Sequence, residues 1–222
     1  MKKILLWTVA GVLVASPVVM RPAVAQKAAA TPQQEEYNRN TWGSEDATRI
    51  VQQVRHALLS LTNYGVFDSL SFGIQGKTVV LKGYASRPQL KSDAERAVKK
   101  IDGVAGVVNQ IVVLPNSPND DSIRVGVYRR IYGNPVLRKY TGSPVGFGQF
   151  PSIARAAGGI TVDPPQGYHA IHIIVNRGHV ILTGVVNSES DANIAFMQAN
   201  STPGAFSVDN DLLYPGQTPK EK

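Results

Sequence analysis

Two groups of basic side chains have the composition and spacing to contact an anionic surface. The first group lies on a predicted helix, off its apolar face, and consists of Lys91, Arg96, Lys99 and Lys100. The second follows another predicted helix and alternates cations with tyrosines: Tyr128, Arg129, Arg130, Tyr132, Arg138, Lys139 and Tyr140. A cation near an anionic membrane contributes about 1 kcal/mol, and aromatic rings favour the depth of the headgroups. These residues are therefore lipid-binding candidates; the alternative is a solvated helix face whose tyrosines pack on a core.

No residue pattern predicts catalysis or a bound metal. The chain has no cysteine, which excludes disulfides, thiolate metal sites and a cysteine nucleophile. His169 and His172 are three residues apart on a predicted strand, so their side chains point to opposite faces and are poorly placed for chelation. The glycine-rich stretch 146–151 follows no strand and lacks the Lys-Ser/Thr end of a phosphate-binding loop. We therefore expect no catalytic residue, no metal and no cofactor.

The N-terminus has the three parts of a secretory signal peptide. A basic head is followed by an apolar stretch and by small residues at Ala23 and Ala25, so we expect cleavage near Ala25. The alternative is a retained membrane anchor, for which the apolar run is short. The polar residues 26–45 predict a flexible linker. Removal of residues 1–25 leaves 20 basic and 16 acidic side chains. In an exported protein this mild excess favours anionic lipid headgroups or cell-wall polymers over nucleic acid as partners; the alternative is a solvated surface with ordinary charge.

Hydrophobic periodicity predicts the same order of elements twice. An apolar helix face runs over 47–61, a strand hairpin covers 70–85, a second helix runs over 90–101, and a third strand covers 104–114. After a proline-rich linker the order restarts with a helix near Asp120 and ends with a strand at 205–214.

The pentapeptides VVLKG at 79–83 and VILTG at 180–184 are 101 residues apart, and the same offset extends well beyond them. The residues that recur at this offset include the pairs Gly83 and Gly184, Gly103 and Gly204, and Asn109 and Asn210. Such self-similarity indicates an internal duplication. Because glycine permits positive φ and close backbone approach, the four glycines are assigned to the fold rather than to a ligand. Only the second copy carries a Gly- and Pro-rich insertion at 133–168, which is either functional or disordered.

Both copies resemble the BON domain. The resemblance rests on VVLKGYASRPQLKSDAERAVKKIDGVAGVVNQIVVL in the first copy and HIIVNRGHVILTGVVNSESDANIAFMQANSTPGAFSVDNDLL in the second. It implies an α+β fold of two αββαβ modules, each a small mixed three-stranded sheet with two helices packed on one face. The expected organisation is a signal peptide at 1–25, a linker at 26–45, a first BON domain at 46–115, a linker at 116–119, a second BON domain at 120–215 that contains the insertion 133–168, and a disordered tail at 216–222.

The whole chain resembles exported tandem-BON proteins of the bacterial envelope, a family that includes the osmotically inducible periplasmic proteins. The resemblance implies a periplasmic or secreted protein without catalytic activity that makes peripheral membrane contact. Its partner would be an anionic phospholipid or a membrane-associated envelope protein, and its role envelope maintenance or osmotic stress. A second hypothesis is a protein–protein interaction or structural module that docks through the 133–168 loop or the sheet edges. We expect no nucleic acid partner, and the sequence leaves the oligomeric state open.

Overall fold

The computed structural model describes residues 41–142 and 168–217, which form two modules of the same type. The first module consists of helix α1 (Ser44–Leu59), strands β1 (Ser69–Gln75) and β2 (Thr78–Ala85), helix α2 (Pro88–Lys99), and strands β3 (Gly106–Asn109) and β4 (Val112–Val113). β1 and β2 form an antiparallel hairpin, whereas β3 and β4 both pair parallel with β2. The predicted αββαβ order with a mixed sheet is confirmed. The predicted third strand at 104–114 is divided into two short strands.

The second module repeats this topology. It consists of helix α3 (Pro118–Gly133), strands β5 (Ile171–Asn176) and β6 (His179–Val185), helix α4 (Glu189–Asn200) and strand β7 (Ser207–Leu213). β5 pairs antiparallel with β6, and β7 pairs parallel with β6. Helix α3 begins earlier than the predicted Asp120, because Ser117 caps it by accepting a hydrogen bond from the Asp120 N–H at 3.2 Å and Pro118 suits the first helical turn.

The insertion predicted at 133–168 begins at Gly133, the last residue of α3, and contains a short 3₁₀ helix, Arg138–Tyr140. Residues 140–142 lie beside residues 168–170, because the Ala170 N–H donates to the Tyr140 carbonyl at 2.9 Å. The central part, 143–167, lies outside the described residues, as do 1–40, with the predicted signal peptide and most of the predicted linker, and 218–222 of the predicted tail.

Each module has its own apolar core between the sheet and the two helices. The core positions of α1 recur 73 residues later on α3, as the pairs Ile50 and Ile123, Val54 and Val127, and Leu58 and Ile131. The strands contribute Val79 and Leu81 to the first core, and Val180 and Leu182 to the second. The strands therefore follow the offset of 101 residues and the first helices an offset of 73, because the insertion separates α3 from β5.

Gly83 and Gly184 have the same conformation for the same reason. Their φ angles are 108° and 121°, in the region that side chains other than glycine rarely adopt. A Cβ at Gly83 would lie 2.0 Å from the Ser69 carbonyl oxygen, and one at Gly184 would lie 2.0 Å from the Ala170 carbonyl oxygen. Glycine is therefore required where β2 and β6 approach the start of the neighbouring strand.

The position of Trp42 shows that the predicted flexible linker 26–45 extends too far towards the first module. Helix α1 begins at Ser44, and the Trp42 indole packs against the first core. Its Nε1–H donates to the Gly103 carbonyl at 2.8 Å. The end of the predicted linker is thus part of the first module, because this ring covers apolar surface next to the end of α2.

A segment of the first module completes the core of the second. We call residues 64–68, between α1 and β1, the joint segment. Val66 and Phe67 are 1% and 0% exposed and belong to the second hydrophobic cluster. The Val66 carbonyl accepts a hydrogen bond from the Ile173 N–H of β5 at 2.8 Å, and the Phe67 ring packs edge-on against Tyr128 with 6.4 Å between ring centroids. The joint segment of the first module therefore forms part of the core of the second module.

Candidate functional site

A groove with a basic lining runs between α1 and the C-terminal end of α2. Its volume is about 610 Å³, and it is lined by Arg49, Gln52, Gln53, His56, Lys100, Ile101 and Asp102. Lys100 is one of the predicted candidates, whereas Arg49 and His56 lie on α1, for which the sequence predicts an apolar face and no lipid-binding residue. The groove brings Arg49, Lys100 and an imidazole together beside Asp102, and Arg49 also forms an exposed ion pair with Asp46 at 3.0 Å. Because an exposed pair of this kind is weak, the cations of the groove can still bind an anionic ligand.

Two further cations of α2 lie outside the lining of the groove. The side chains of Arg96 and Lys99 are 69% and 55% exposed, and they form ion pairs with Asp93 and Glu95 on the same helix. Hydrogen bonds from Lys99 and Asn109 hold the pKa of Glu95 below its usual range. Exposed pairs of this kind contribute at most about 1 kcal/mol. They are therefore weak enough for the cations to exchange partners at an anionic surface.

The three tyrosines of the second predicted group lie in the core. Tyr128 and Tyr132 are fully buried, and Tyr140 is 5% exposed. The Tyr132 hydroxyl donates to the Ile171 carbonyl at 2.6 Å and accepts from the Ile171 N–H at 3.1 Å. Burial raises the pKa of this hydroxyl. The alternative interpretation, in which the tyrosines pack on the core, describes these positions, so none of the three rings reaches a lipid headgroup in this conformation.

Cations of the same group are engaged by polar partners of the second module. Lys139 forms an ion pair with Asp191 at 2.9 Å, and Arg130 donates to the Ser201 hydroxyl at 3.1 Å. The Tyr140 hydroxyl also donates to Asp191, at 2.6 Å. Hydrogen bonds from Tyr140 and Lys139 hold the pKa of Asp191 below its usual value. These contacts fasten the 3₁₀ helix to α4, which makes this group less available to a ligand than the cations of the first module.

A second cavity, of about 920 Å³, lies between the two modules and was not predicted from the sequence. Its described lining consists of Leu59, Tyr64, Ser69, Leu70, Ser71, Tyr168, His169, Ala170, His172, Thr183, Gly184, Val185, Asp211, Leu213, Tyr214 and Gln217. None of these lining residues is a lysine or an arginine, so the cavity does not have the charge expected for binding an anionic headgroup. The residues meet only through the packing of the modules, which leaves no local signal in the sequence.

The histidines at this boundary contact protein groups. His169 Nε2 lies 3.1 Å from the Tyr128 hydroxyl, and His172 Nδ1 lies 3.1 Å from the Gly65 carbonyl oxygen. Burial lowers the pKa of His172, and burial raises the pKa of the neighbouring Tyr64 to about 12. Within the residues that the structure describes, no three potential ligands are grouped as a metal site would require. In the same residues no helix combines the length and hydrophobicity needed to cross a bilayer.

Comparison with known proteins gives a family match for both modules. The family model described as the BON domain matches residues 46–115 and 157–216. No curated protein matches the chain. Among solved structures, CdsD, a structural protein of the Type III secretion system of Chlamydia trachomatis, is 14% identical over 76% of this chain and 94% of its own, with a TM-score of 0.24. A structure of the C-terminal domain of CdsD is 13% identical over 74% of this chain and 96% of its own, also with a TM-score of 0.24.

Proposed function

Because the chain belongs to the BON-domain family, whose modules are associated with phospholipid and the bacterial envelope, we propose that it is a non-enzymatic envelope protein whose first module binds anionic phospholipid. The observation that carries the proposal is the groove in which Arg49, His56 and Lys100 converge. Binding is peripheral, by charge attraction at the membrane surface. The protein acts in the periplasm or after secretion, once residues 1–25 have been removed, and its role is in envelope maintenance or osmotic stress.

Electrostatics favour the first module over the second for this contact. Two cations of the groove, together with exposed Arg96 and Lys99, lie on one pair of packed helices. In the second group, Lys139 is held by an almost buried carboxylate, Asp191. Moving Lys139 to a membrane would leave that carboxylate without its cation, which is more costly than breaking an exposed pair. The remaining predicted candidates, Lys91, Arg129, Arg130 and Arg138, would act as secondary contacts.

Co-sedimentation with vesicles tests the proposal. We expect the protein to pellet with vesicles that contain about 30 mol % phosphatidylglycerol in phosphatidylcholine at low ionic strength, and to stay in solution with phosphatidylcholine alone. The double variant R49E/K100E should reduce binding by more than about tenfold, because each charge near the surface contributes about 1 kcal/mol. Physiological salt should weaken binding of the unchanged protein, since the Debye length falls to about 8 Å.

A charge reversal on the opposite face of the module is the matched control. Lys82 is exposed, and its neighbour Leu81 on β2 is buried beneath the helices, so the side chain of Lys82 points away from the groove. K82E should bind anionic vesicles nearly as well as the unchanged protein. Equal binding to neutral and anionic vesicles, or equal losses in K82E and in a K100E single variant, would contradict a specific contact through the groove.

A further inference from the structure

One tip of the second module departs from the internal repeat although its backbone contact is the same. The tip consists of the turn 176–179 between β5 and β6 and of residues 201–207, which lead into β7. The Phe206 N–H joins the two by donating to the Gly178 carbonyl at 2.8 Å. Ala105, 101 residues earlier, makes the equivalent bond in the first module at 2.9 Å. The second module therefore carries a large aromatic side chain where the same backbone needs only a methyl group.

Arg177, at the first central position of the turn, is a second departure from the repeat. Its φ angle is 54°, and within the described part of the chain it is the only residue other than glycine with positive φ. The first module has Gly76 at this position, with a φ of 59°, and glycine adopts this conformation more readily. Unfavourable backbone conformations of this kind are concentrated at functional sites. The fold itself thus requires neither Arg177 nor Phe206 at the tip.

The surface of the tip combines one aromatic ring with positive charge. Phe206 is 81% exposed, more than any other large apolar side chain of the described residues, and its ring packs edge-on against His179 with 5.2 Å between ring centroids. Arg177 is also exposed, and the tip has no acidic residue of its own. Asp120 lies behind the turn, buried and accepting hydrogen bonds from two turn N–H groups, and Asp209 follows two residues beyond the tip on β7.

This chemistry fits a membrane interface better than a protein partner. A stable protein interface buries about 800 Å² on each side around an apolar centre, whereas the tip has a single large apolar side chain among small and polar residues. Lipid can surround a single ring on every side, and aromatic rings are favoured at headgroup depth. We propose that Phe206 inserts among the headgroups of an anionic bilayer while Arg177 pairs with a lipid phosphate. This contact is separate from the groove of the first module and does not depend on it.

Vesicle binding of Phe206→Ser tests the contact in the otherwise unchanged protein. Binding to vesicles with about 30 mol % phosphatidylglycerol in phosphatidylcholine should weaken about tenfold, because the ring no longer leaves water. The factor should be the same at low and at physiological salt, since apolar burial is not screened. Leu213→Ser is the matched control, because Leu213 is 59% exposed at the other end of β7; it should bind as the unchanged protein does. The two proposals fail separately, since R49E/K100E reports on the groove and Phe206→Ser on the tip.

Arg177→Gly restores the residue of the first module and separates binding from folding. It should weaken binding to the same vesicles about fivefold, because one cation near the surface is lost. It should also raise the midpoint of thermal unfolding, because glycine adopts positive φ without strain. A variant that is more stable but binds more weakly does not owe its loss of binding to unfolding. Unchanged vesicle binding of Arg177→Gly would overturn the proposed phosphate contact.

The fluorescence of Phe206→Trp then locates the ring in the bilayer. On binding anionic vesicles its emission should shift to shorter wavelength, and lipids brominated in the upper acyl chain should quench it. Val185→Trp is the control at the opposite end of β6, where Val185 is 61% exposed; it should show no quenching beyond that of the unchanged protein, which contains Trp42. Equal quenching of the two variants, or equal vesicle binding of Phe206→Ser and Leu213→Ser, would overturn the proposal, and a protein partner would then be sought for the tip.

Discussion

The two modules have the same backbone plan but complete it differently at the edge strand. In the second module, β5 is covered by Val66 and Phe67 of the joint segment and by the buried side chain of Arg124. In the first, the edge of β1 is open beyond Leu70 in the described part of the chain. The copies are therefore alike where the fold itself constrains them, and they have diverged where one module meets the other.

Buried charge is the clearest chemical difference between the copies. Arg124 and Asp121 form a fully buried ion pair, and Val51 takes the position of Arg124 in the first module. Asp120 accepts hydrogen bonds from the Arg177 and Gly178 N–H groups, both at 2.8 Å. This carboxylate thereby holds the hairpin turn between β5 and β6. A buried pair of this kind adds little net stability compared with apolar residues, but it fixes geometry, here that of α3 against β5.

Truncation of Phe67 should give the largest difference in stability between equivalent positions of the two modules. Phe67→Ala should lower the free energy of unfolding of the second module by about 4 kcal/mol, because it empties a fully buried aromatic site in that module's core. Tyr168, at the offset of 101 residues, is 72% exposed, so Tyr168→Ala should cost less than about 0.5 kcal/mol. Urea unfolding followed by NMR signals of each module measures both values. Similar costs for the two variants would show that Phe67 does not have the structural role assigned to it.

Substitution of the two strand glycines should destabilise the two modules by the same amount. Gly83→Ala and Gly184→Ala should each destabilise their own module by about 3 kcal/mol, since a side chain at positive φ is strained and its Cβ would clash with a backbone carbonyl. Gly73, where a Cβ would meet nothing within 4 Å, is the control; Gly73→Ala should change stability by less than about 0.5 kcal/mol. Chemical denaturation of the three variants decides the matter. If only one of the two substitutions lowered the stability strongly, the close approach of the glycine to a backbone carbonyl would not be equivalent in the two modules.

The sequence predicted the fold because the signals for it are local and occur twice. The alternation of Leu70, Phe72 and Ile74 with polar residues is set by the pleat of one strand, and the second copy repeats the strand and glycine pattern at a fixed offset. The predicted boundaries of a module were less accurate where they depend on the packing of a single side chain. Trp42 lies in a polar stretch, and its packing against the end of α2 depends on a contact with Gly103, 61 residues away.

The candidate site was predictable only in part, because its residues come from separate elements. The periodicity of α2 placed its cations outside the apolar face, and Lys100 does line the groove. The same reasoning could not pair Lys100 with Arg49, since the packing of α1 on α2 decides which polar residues face each other. The tyrosine spacing fitted both a membrane interface and a core. Burial of Tyr128 and Tyr132 depends on the joint segment and on β5, which lie far away in sequence.

The smallest expected effect concerns the asparagine that fastens the last strand of each module to its second helix. Asn109 Nδ2 donates to the Lys91 carbonyl at 2.9 Å, and Asn210 Nδ2 donates to the Ala192 carbonyl at 3.1 Å. In both, the side-chain oxygen also accepts from the N–H two residues further on. Asn109→Ala and Asn210→Ala should each cost about 1–2 kcal/mol, because the substitution removes these bonds and leaves half-buried backbone groups unpaired.

A double variant, Asn109→Ala with Asn210→Ala, tests whether the two modules are energetically independent. The two sites lie in different modules and share no contact in the described residues, so the cost in the double variant should equal the sum of the single costs within about 0.5 kcal/mol. Asn187, exposed beyond the end of β6, provides a control at which Asn→Ala should have little effect on stability. A coupling well above that limit would mean that the joint transmits strain from one sheet to the other. The modules would then unfold as one cooperative unit, because Val66 and Phe67 link the first sheet to the second core.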